Sequence, residues 1–154
     1  MRSQHLLFKI LLMVALLTIS TVANATGNNH RTEDGKLKVL YHVDGNDLGT
    51  AKYAMALIKK HIEAEGGPDK IDIKLVVHGP ALPLFKKETI DAELLKRFRT
   101  IVNKGAKPEM CQVSMKLMDA PIETLAPGFA PTEHPVAVKR IADLQEQGYL
   151  YIKP

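Results

Sequence analysis

The sequence predicts an α/β fold in which a mostly parallel sheet is covered by helices on both faces. Strand-like apolar segments alternate along the chain with amphipathic segments of helical period, and short connections join them. The segment at residues 71–78 ends in a continuous apolar run, Leu75–Val77, as expected of a central strand that is buried on both faces. No internal repeat interrupts this alternation.

The first 25 residues are predicted to form a secretory signal peptide. Arg2 and Lys9 accompany an apolar run at residues 10–19, and residues 23–25 (Ala-Asn-Ala) form a small-residue cleavage site. Cleavage there leaves 129 residues, enough for one domain with its own core, and lowers the formal charge from +4 to +2. Because the apolar run is short for a membrane span, we expect export to the periplasm without stable membrane insertion after cleavage.

The first half of the exported chain is a polar lead-in followed by strand, helix and strand. Residues 26–36 are rich in Gly and Asn and are predicted to be a flexible lead-in, so that the α/β domain occupies residues 37–154. Residues 37–42 have strand composition. A helix is predicted from about 48 to 65, where apolar residues recur at helical spacing before Gly66, and the strand at 71–78 follows.

The second half continues the alternation. Asp91 is a candidate cap for a helix at 92–104, and Gly105 is a candidate helix terminator. A helix is predicted from about Pro135 to Gln147, beginning at a proline and stopping before Gly148. The remaining predicted elements are a weak strand at 106–111, short helices at 112–118 and 122–126, and a closing strand at 149–152.

Composition argues against two classes of function. Lys and Arg are scattered among Asp and Glu, tryptophan is absent and aromatic residues are few, so we predict no nucleic-acid surface. Neither metal-ligand spacing nor a phosphate-binding loop is visible, so we predict neither a metal nor a cofactor. Methionines 110, 115 and 118 surround the cysteine and are interpreted as packing residues, with Cu(I) binding as the weaker alternative.

Polar residues follow the predicted strands at the edge where parallel α/β sheets carry their chemistry. His42 with Asp44 ends the first strand, His78 with Gly79 ends the second, and Cys111 ends the third. From topology we expect them to converge on one rim. His78 could accept the thiol proton of Cys111, while His42, Asp44 and Gly79 are pocket candidates. The alternative is that the histidines and Asp44 only shape turns and cap helices.

Cys111 is the only cysteine, so it cannot form an internal disulfide. If a helix begins at Gln112, the thiol lies at its N-terminus, where unpaired amides favour the reactive thiolate. The alternative is a small buried apolar residue, since free cysteine is among the most buried residue types. Position alone leaves both interpretations open.

These residues resemble the DsrE/DsrF-like sulfur-relay family, and the similarity extends from Lys38 to Pro154. It is carried, in order, by KVLYHVD at the first strand, IKLVVHGP at the second, Met-Cys before a short helix, and the tail LQEQGYLYIKP. The resemblance implies a three-layer α/β/α sandwich with a mostly parallel sheet of about five strands. It also implies trimers or hexamers, and a cysteine, here Cys111, that carries sulfur as a persulfide. The signal peptide places the chain nearer an exported branch. Gln112–Ser114 departs from the Gly-Asn-Thr-like stretch common after that cysteine.

The leading functional hypothesis is a periplasmic sulfur-handling protein in which Cys111 accepts and passes on sulfane sulfur. A carrier that serves a donor or acceptor protein and a transferase both fit the sequence. The competing hypothesis is a non-catalytic oligomeric module that binds a small ligand or a protein partner, with Cys111 structural. A homo-oligomer is predicted because the chain has more apolar surface than one small domain readily covers. This surface comes from Tyr149, Tyr151 and the apolar segment 120–131.

Overall fold

The computed structural model describes residues 30–154, which contain one parallel sheet. The predicted signal peptide lies outside the described residues. The strands are β1 (Leu37–Val43), β2 (Ile71–Val77), β3 (Lys107–Met110), β4 (Ala130–Pro131) and β5 (Leu150–Ile152). Their order is β4-β3-β2-β1-β5, and every pairing between them is parallel. The predicted five-stranded, mostly parallel α/β fold is therefore confirmed.

Helices cover the sheet from both sides. Alternate strand residues such as Val39 and Tyr41 pack in one apolar core with the helices at 48–64 and 92–103. Leu40 and Val76 face the other way and pack against the helix at 137–146. The helices are α1 (Leu48–Ala64), α2 (Ala92–Asn103), α3 (Gln112–Leu117) and α4 (Ala137–Glu146), with 3-10 turns at Gly79–Phe85 and Ile122–Thr124.

The two longest helices begin at aspartate caps. Asp47 accepts a hydrogen bond from the amide of Thr50 at 2.6 Å. Asp91 accepts from the amides of Glu93 and Leu94, both at 2.9 Å, as its sequence position predicted. These carboxylates satisfy amides that the first helical turn leaves unpaired. Among residues 30–154, no helix combines the length and apolar character needed to cross a membrane.

A network of buried charges lies between the sheet and α4. The Glu109 carboxylate on β3 accepts two hydrogen bonds from the Arg140 guanidinium, both at 2.8 Å, and one from Lys74 Nζ at 3.0 Å. Asp72 accepts from Lys107 Nζ at 2.6 Å and from the Tyr149 hydroxyl. These pairs allow charged strand residues to occupy a largely buried sheet face.

The structure differs from the sequence prediction in four short segments. The 3-10 turn at 79–85 and the two-residue strand β4 were not predicted, because both contain prolines and lack a periodic pattern. α4 begins at Ala137 rather than Pro135. Residues 30–36 of the predicted lead-in form a turn, and His30 bonds to Lys38 N at 2.8 Å and to Gly148 O at 2.8 Å.

The apolar surface used to predict an oligomer lies elsewhere than expected. Tyr149 is buried, and so are Ala120, Leu125 and Ala126 within the 120–131 segment. That part of the reasoning was wrong because these residues pack inside their own chain. The most exposed large apolar side chains in the described part of the chain are Leu117, Val138, Tyr53, Tyr151 and Val136. The oligomer itself stays a prediction.

Candidate functional site

The candidate site lies where three neighbouring strands end. Val43 pairs with Val77 and Val77 with Met110, so that Asp44, His78 and Cys111 follow these paired residues directly. The backbone continues the pairing for one more step. His78 N donates to Val43 O at 3.2 Å, and Cys111 N donates to Val77 O at 3.0 Å. The predicted rim therefore exists as a row of residues along the C-terminal edge of the sheet.

His42 and His78 form a directly bonded imidazole pair on the sheet face that α4 covers. Their Nε2 atoms are 2.8 Å apart, and the two rings are nearly parallel, 16° apart, and meet edge to edge with a centroid distance of 4.9 Å. His42 Nδ1 is 2.7 Å from the Tyr151 hydroxyl. One Nε2 atom must carry the hydrogen and the other must accept it. The hydroxyl of Tyr151 fixes the orientation of the first ring, and this ring in turn fixes the second.

Asp44 brings a negative charge to this pair. Its Oδ2 atom is 3.7 Å from His42 Nε2 and 2.7 Å from Lys153 Nζ. The hydrogen bond from Lys153 lowers the pKa of Asp44 below its ordinary value. Burial lowers the pKa of His42 to about 4 and also lowers the pKa of His78, although Asp44 opposes both shifts. At neutral pH the site therefore contains two neutral imidazoles, a carboxylate and an ammonium group.

The thiol of Cys111 is on the same sheet face but is covered. Its side chain packs in the apolar cluster that contains Leu40, Val76 and Ala137, and the residue is 4% exposed. Sγ donates a hydrogen bond to the carbonyl of Pro135 at 3.5 Å. Cys111 precedes α3 as predicted, although its side chain makes no capping bond.

Within residues 30–154, no hydrogen bond joins the Cys111 thiol to His78. The thiol bonds to Pro135 O, while the imidazole of His78 is held by His42. The structure therefore brings Cys111 and His78 to adjacent positions of the sheet without the proton-accepting contact that was expected. The role of His78 as a proton acceptor stays a prediction.

Residues 132–136, which we call the covering segment, contact the thiol through the carbonyl of Pro135. Pro135 O accepts from Val113 N at 3.1 Å as well as from the thiol. At its other end, Thr132 N donates to Met110 O at 3.0 Å, and Glu133 forms an ion pair with Arg140. The hydroxyl of Thr132 is buried and has no hydrogen-bond partner in the described part of the chain.

Gly79 holds the backbone at the end of β2. Its φ of 56° lies in the left-handed region, which glycine adopts without steric cost. Its amide donates to the buried hydroxyl of Ser114 at 2.8 Å, which links the end of β2 to α3. Gly79 therefore acts through its backbone, which positions the end of β2 next to the site.

The sequence pattern did not indicate Tyr151, Lys153 or Ser114 as site residues. The sequence did contain a relevant pattern, because alternation along the closing strand places residues 149, 151 and 153 on one strand face. Only the pairing of β5 with β1, in which Leu40 opposes Tyr151, shows which partner that face meets. A groove of about 570 Å³ lies between α1 and α2, and none of the predicted site residues lines it.

Fold and site together define a parallel α/β domain with a lone thiol and an imidazole pair at its C-terminal strand ends. The chain belongs to the DsrE/DsrF-like family, whose sequence profile matches residues 37–154. No curated protein matches the chain significantly.

Three solved structures share the fold. A protein of unknown function from Methanobacterium thermoautotrophicum, MTH1491, has a TM-score of 0.65 and 16% identity, over 75% of this chain and 97% of that one. The ychN protein from E. coli has a TM-score of 0.57 and 10% identity, over 77% and 100%. BT1422 from Bacteroides thetaiotaomicron, a conserved protein of unknown function, has a TM-score of 0.54 and 13% identity, over 76% and 95%. At these identities the similarity concerns the fold alone.

Proposed function

We propose that this protein handles sulfane sulfur in the periplasm and that Cys111 carries the sulfur as a persulfide. Membership of the DsrE/DsrF-like family supports a sulfur-relay role in general. The observation that carries the proposal for this chain is the location of its single cysteine. Cys111 lies at a C-terminal strand end, directly before a helix, and next to the residue pair His42–His78.

The transfer is a thiol exchange that needs no separate oxidant. The Cys111 thiolate attacks the outer sulfur of a donor persulfide, a new S–S bond forms, and the bond to the donor sulfur breaks. The donor leaves as a thiolate, which takes up the proton that the Cys111 thiol has lost. Passing the sulfur to an acceptor thiol repeats the same exchange in the other direction. His78 is the proposed proton acceptor when the thiol is uncovered.

Transfer requires that the covering segment moves, because a thiol at 4% exposure cannot meet a donor. The contacts that hold this segment near the thiol are the two bonds to Pro135 O, the ion pair of Glu133 with Arg140, and two backbone contacts of Thr132, which donates to Met110 O and accepts from Gln112 Nε2. The Glu133 side chain is 71% exposed, so its ion pair contributes little to stability. We infer that the segment opens locally without unfolding the sheet.

The test is sulfur loading of the mature chain. Incubation with a polysulfide should add about 32 Da, the mass of one sulfur atom, and dithiothreitol should remove it. Cys111→Ser should show no adduct. His78→Gln should slow alkylation near pH 7, whereas His134→Gln, which changes a histidine outside the site, should not. A thiol that resists both reagents until the protein is denatured would contradict the proposal.

The burial of Cys111 favours a second candidate, a non-catalytic oligomeric module that binds a ligand or a partner protein. In that case the thiol is a packing residue, and the strand-end histidines form the wall of a binding site. The alkylation experiment separates the two candidates, because only the sulfur carrier needs a thiol that reacts in the folded state.

We further propose that the protein forms a homo-oligomer, a trimer or a hexamer. Strand β5 is at one edge of the sheet, and Leu150 and Tyr151 on it are partly exposed. Leu117 and Val138 add exposed apolar surface. Light scattering at micromolar concentration tests the assembly, and a monomer would contradict it.

A further inference from the structure

The imidazole pair at the strand ends has the arrangement of a metal site. His42 and His78 direct the same ring nitrogen, Nε2, toward each other at 2.8 Å. Asp44 Oδ2 lies 3.7 Å from His42 Nε2, and the three atoms are all within 4.8 Å of one another. The sequence spacing did not predict this cluster, because its members come from two strands that are separated along the chain.

These distances are close to those that one ion requires. Metal–nitrogen and metal–oxygen bonds of about 2.0–2.2 Å separate neighbouring ligand atoms by roughly 3–3.5 Å. The separation of His42 from Asp44 is slightly longer than this range, and that between the two imidazoles is slightly shorter. An ion would replace the hydrogen bond between the two Nε2 atoms, which requires that both rings and the carboxylate rotate toward it.

The hydrogen bonds around these three residues also resemble those found around metal ligands. His42 Nδ1 is bonded to the Tyr151 hydroxyl, which holds the ring with Nε2 directed at the cluster, as outer hydrogen bonds do for metal-binding histidines. Lys153 Nζ lies 2.7 Å from Asp44 Oδ2. A cation therefore already neutralises the carboxylate at the edge of the cluster, and it would compete with an incoming ion.

We propose that His42 Nε2, His78 Nε2 and Asp44 Oδ2 bind one divalent first-row transition-metal ion, which displaces the ammonium group of Lys153 from Asp44. Two imidazoles select zinc, copper, iron or nickel over magnesium and calcium. Three protein ligands leave at least one coordination position open, as in catalytic zinc sites. This site does not use Cys111, and His78 is the one residue that it shares with the proposed sulfur chemistry.

Zinc binding to the tag-free mature chain, measured by calorimetry, tests the proposal. The wild-type protein should bind one ion per chain. His42→Gln and His78→Gln should each weaken binding at least about tenfold, because loss of a ligand costs no less than loss of an outer partner. Asp44→Asn should also weaken it, and His134→Gln should leave it unchanged. Circular dichroism identifies any variant that fails to fold, and the remaining ligand variants then decide.

Two further variants separate this site from the alternatives. Lys153→Gln should tighten zinc binding, because the competing ammonium is gone and the carboxylate remains. Cys111→Ser should bind zinc like the wild type, so that a failed sulfur assay and a failed metal assay are distinguishable. The proposal is overturned if the wild type binds no zinc at micromolar concentration, if both histidine variants bind as well as the wild type, or if only Cys111→Ser loses the ion.

Discussion

Replacing Glu109 with glutamine tests how much the buried charge network contributes to the fold. The carboxylate neutralises Arg140, whose side chain is 3% exposed, and Lys74, whose side chain is 17% exposed. It accepts three hydrogen bonds from them. Glutamine keeps the shape of the side chain and one acceptor oxygen, but it leaves Lys74 without a counter-ion and Arg140 with only the exposed carboxylate of Glu133.

The structure sets the size of the effect. Removing one partner from a buried ion pair costs about 3–5 kcal/mol. Because glutamine can still accept one hydrogen bond, we expect the lower end, about 3 kcal/mol. Domains of this size have a free energy of unfolding of about 5–15 kcal/mol. The variant should therefore lose a large fraction of its stability while keeping the same fold.

Urea unfolding at pH 7 measures this loss, and Asp143→Asn is the matched control. Asp143 pairs with Lys139 on the exposed face of α4, where an ion pair contributes only about 0.3–0.5 kcal/mol. The two variants should differ by at least 2 kcal/mol at unchanged m-value. A Glu109→Gln protein as stable as the control would refute the reasoning, since Arg140 would then have to be solvated without Glu109.

Four remaining predictions concern the same region. Burial raises the pKa of Glu109, but the hydrogen bonds from Arg140 and Lys74 outweigh burial and hold the pKa below the ordinary 4.5. The contribution of Glu109 to stability should therefore be complete above pH 4.5 and should decline at lower pH, which denaturation curves measured at several pH values would show. Gly79→Ala should cost about 1 kcal/mol in thermal unfolding because φ is positive, although the added carbon meets no atom closer than 3.9 Å. Thr132→Val should raise stability by about 1 kcal/mol, since it removes a buried hydroxyl that has no partner among residues 30–154; a loss would reveal a partner such as water. Glu133→Gln should speed alkylation of Cys111 by up to about fivefold, because it removes one contact of the covering segment at a cost of at most 1 kcal/mol; an unchanged rate would mean that the ion pair does not hold this segment.

Much of the fold follows from local patterns in the sequence. The strand at residues 71–77, both long helices and the short helix after Cys111 appear close to where apolar periodicity, aspartate caps and glycines predicted them. The two-residue strand β4 could not be predicted this way. Its pairing depends on β3 as a neighbour, and Pro131 lacks the amide that a strand pattern would suggest.

The site was predictable as a place but not as a set of contacts. The topology of a parallel sheet predicted that His42, His78 and Cys111 converge on one rim. Their partners depend on side-chain rotamers and on strand order. Tyr151 reaches His42 only because β5 pairs with β1. The sequence likewise could not show that Pro135 lies over the thiol, since the covering segment has no periodic structure of its own.

The same sheet edge contains two groups whose chemistry the structure keeps apart. Cys111 is directed into an apolar cluster and bonds to Pro135, whereas the imidazoles bond to each other beside Asp44. Displacing the covering segment would remove the bond from the thiol to Pro135 without disturbing the contacts of His42 with Tyr151 and His78. Thiol reactivity should therefore respond to changes in residues 132–136, and metal affinity should respond to changes at His42, Asp44 and Lys153. Only His78, as the proposed proton acceptor and a proposed ligand, should affect both. If a change at any of the other residues altered both properties equally, the two would form a single site, and the thiol would have to reach the imidazole pair in the open state.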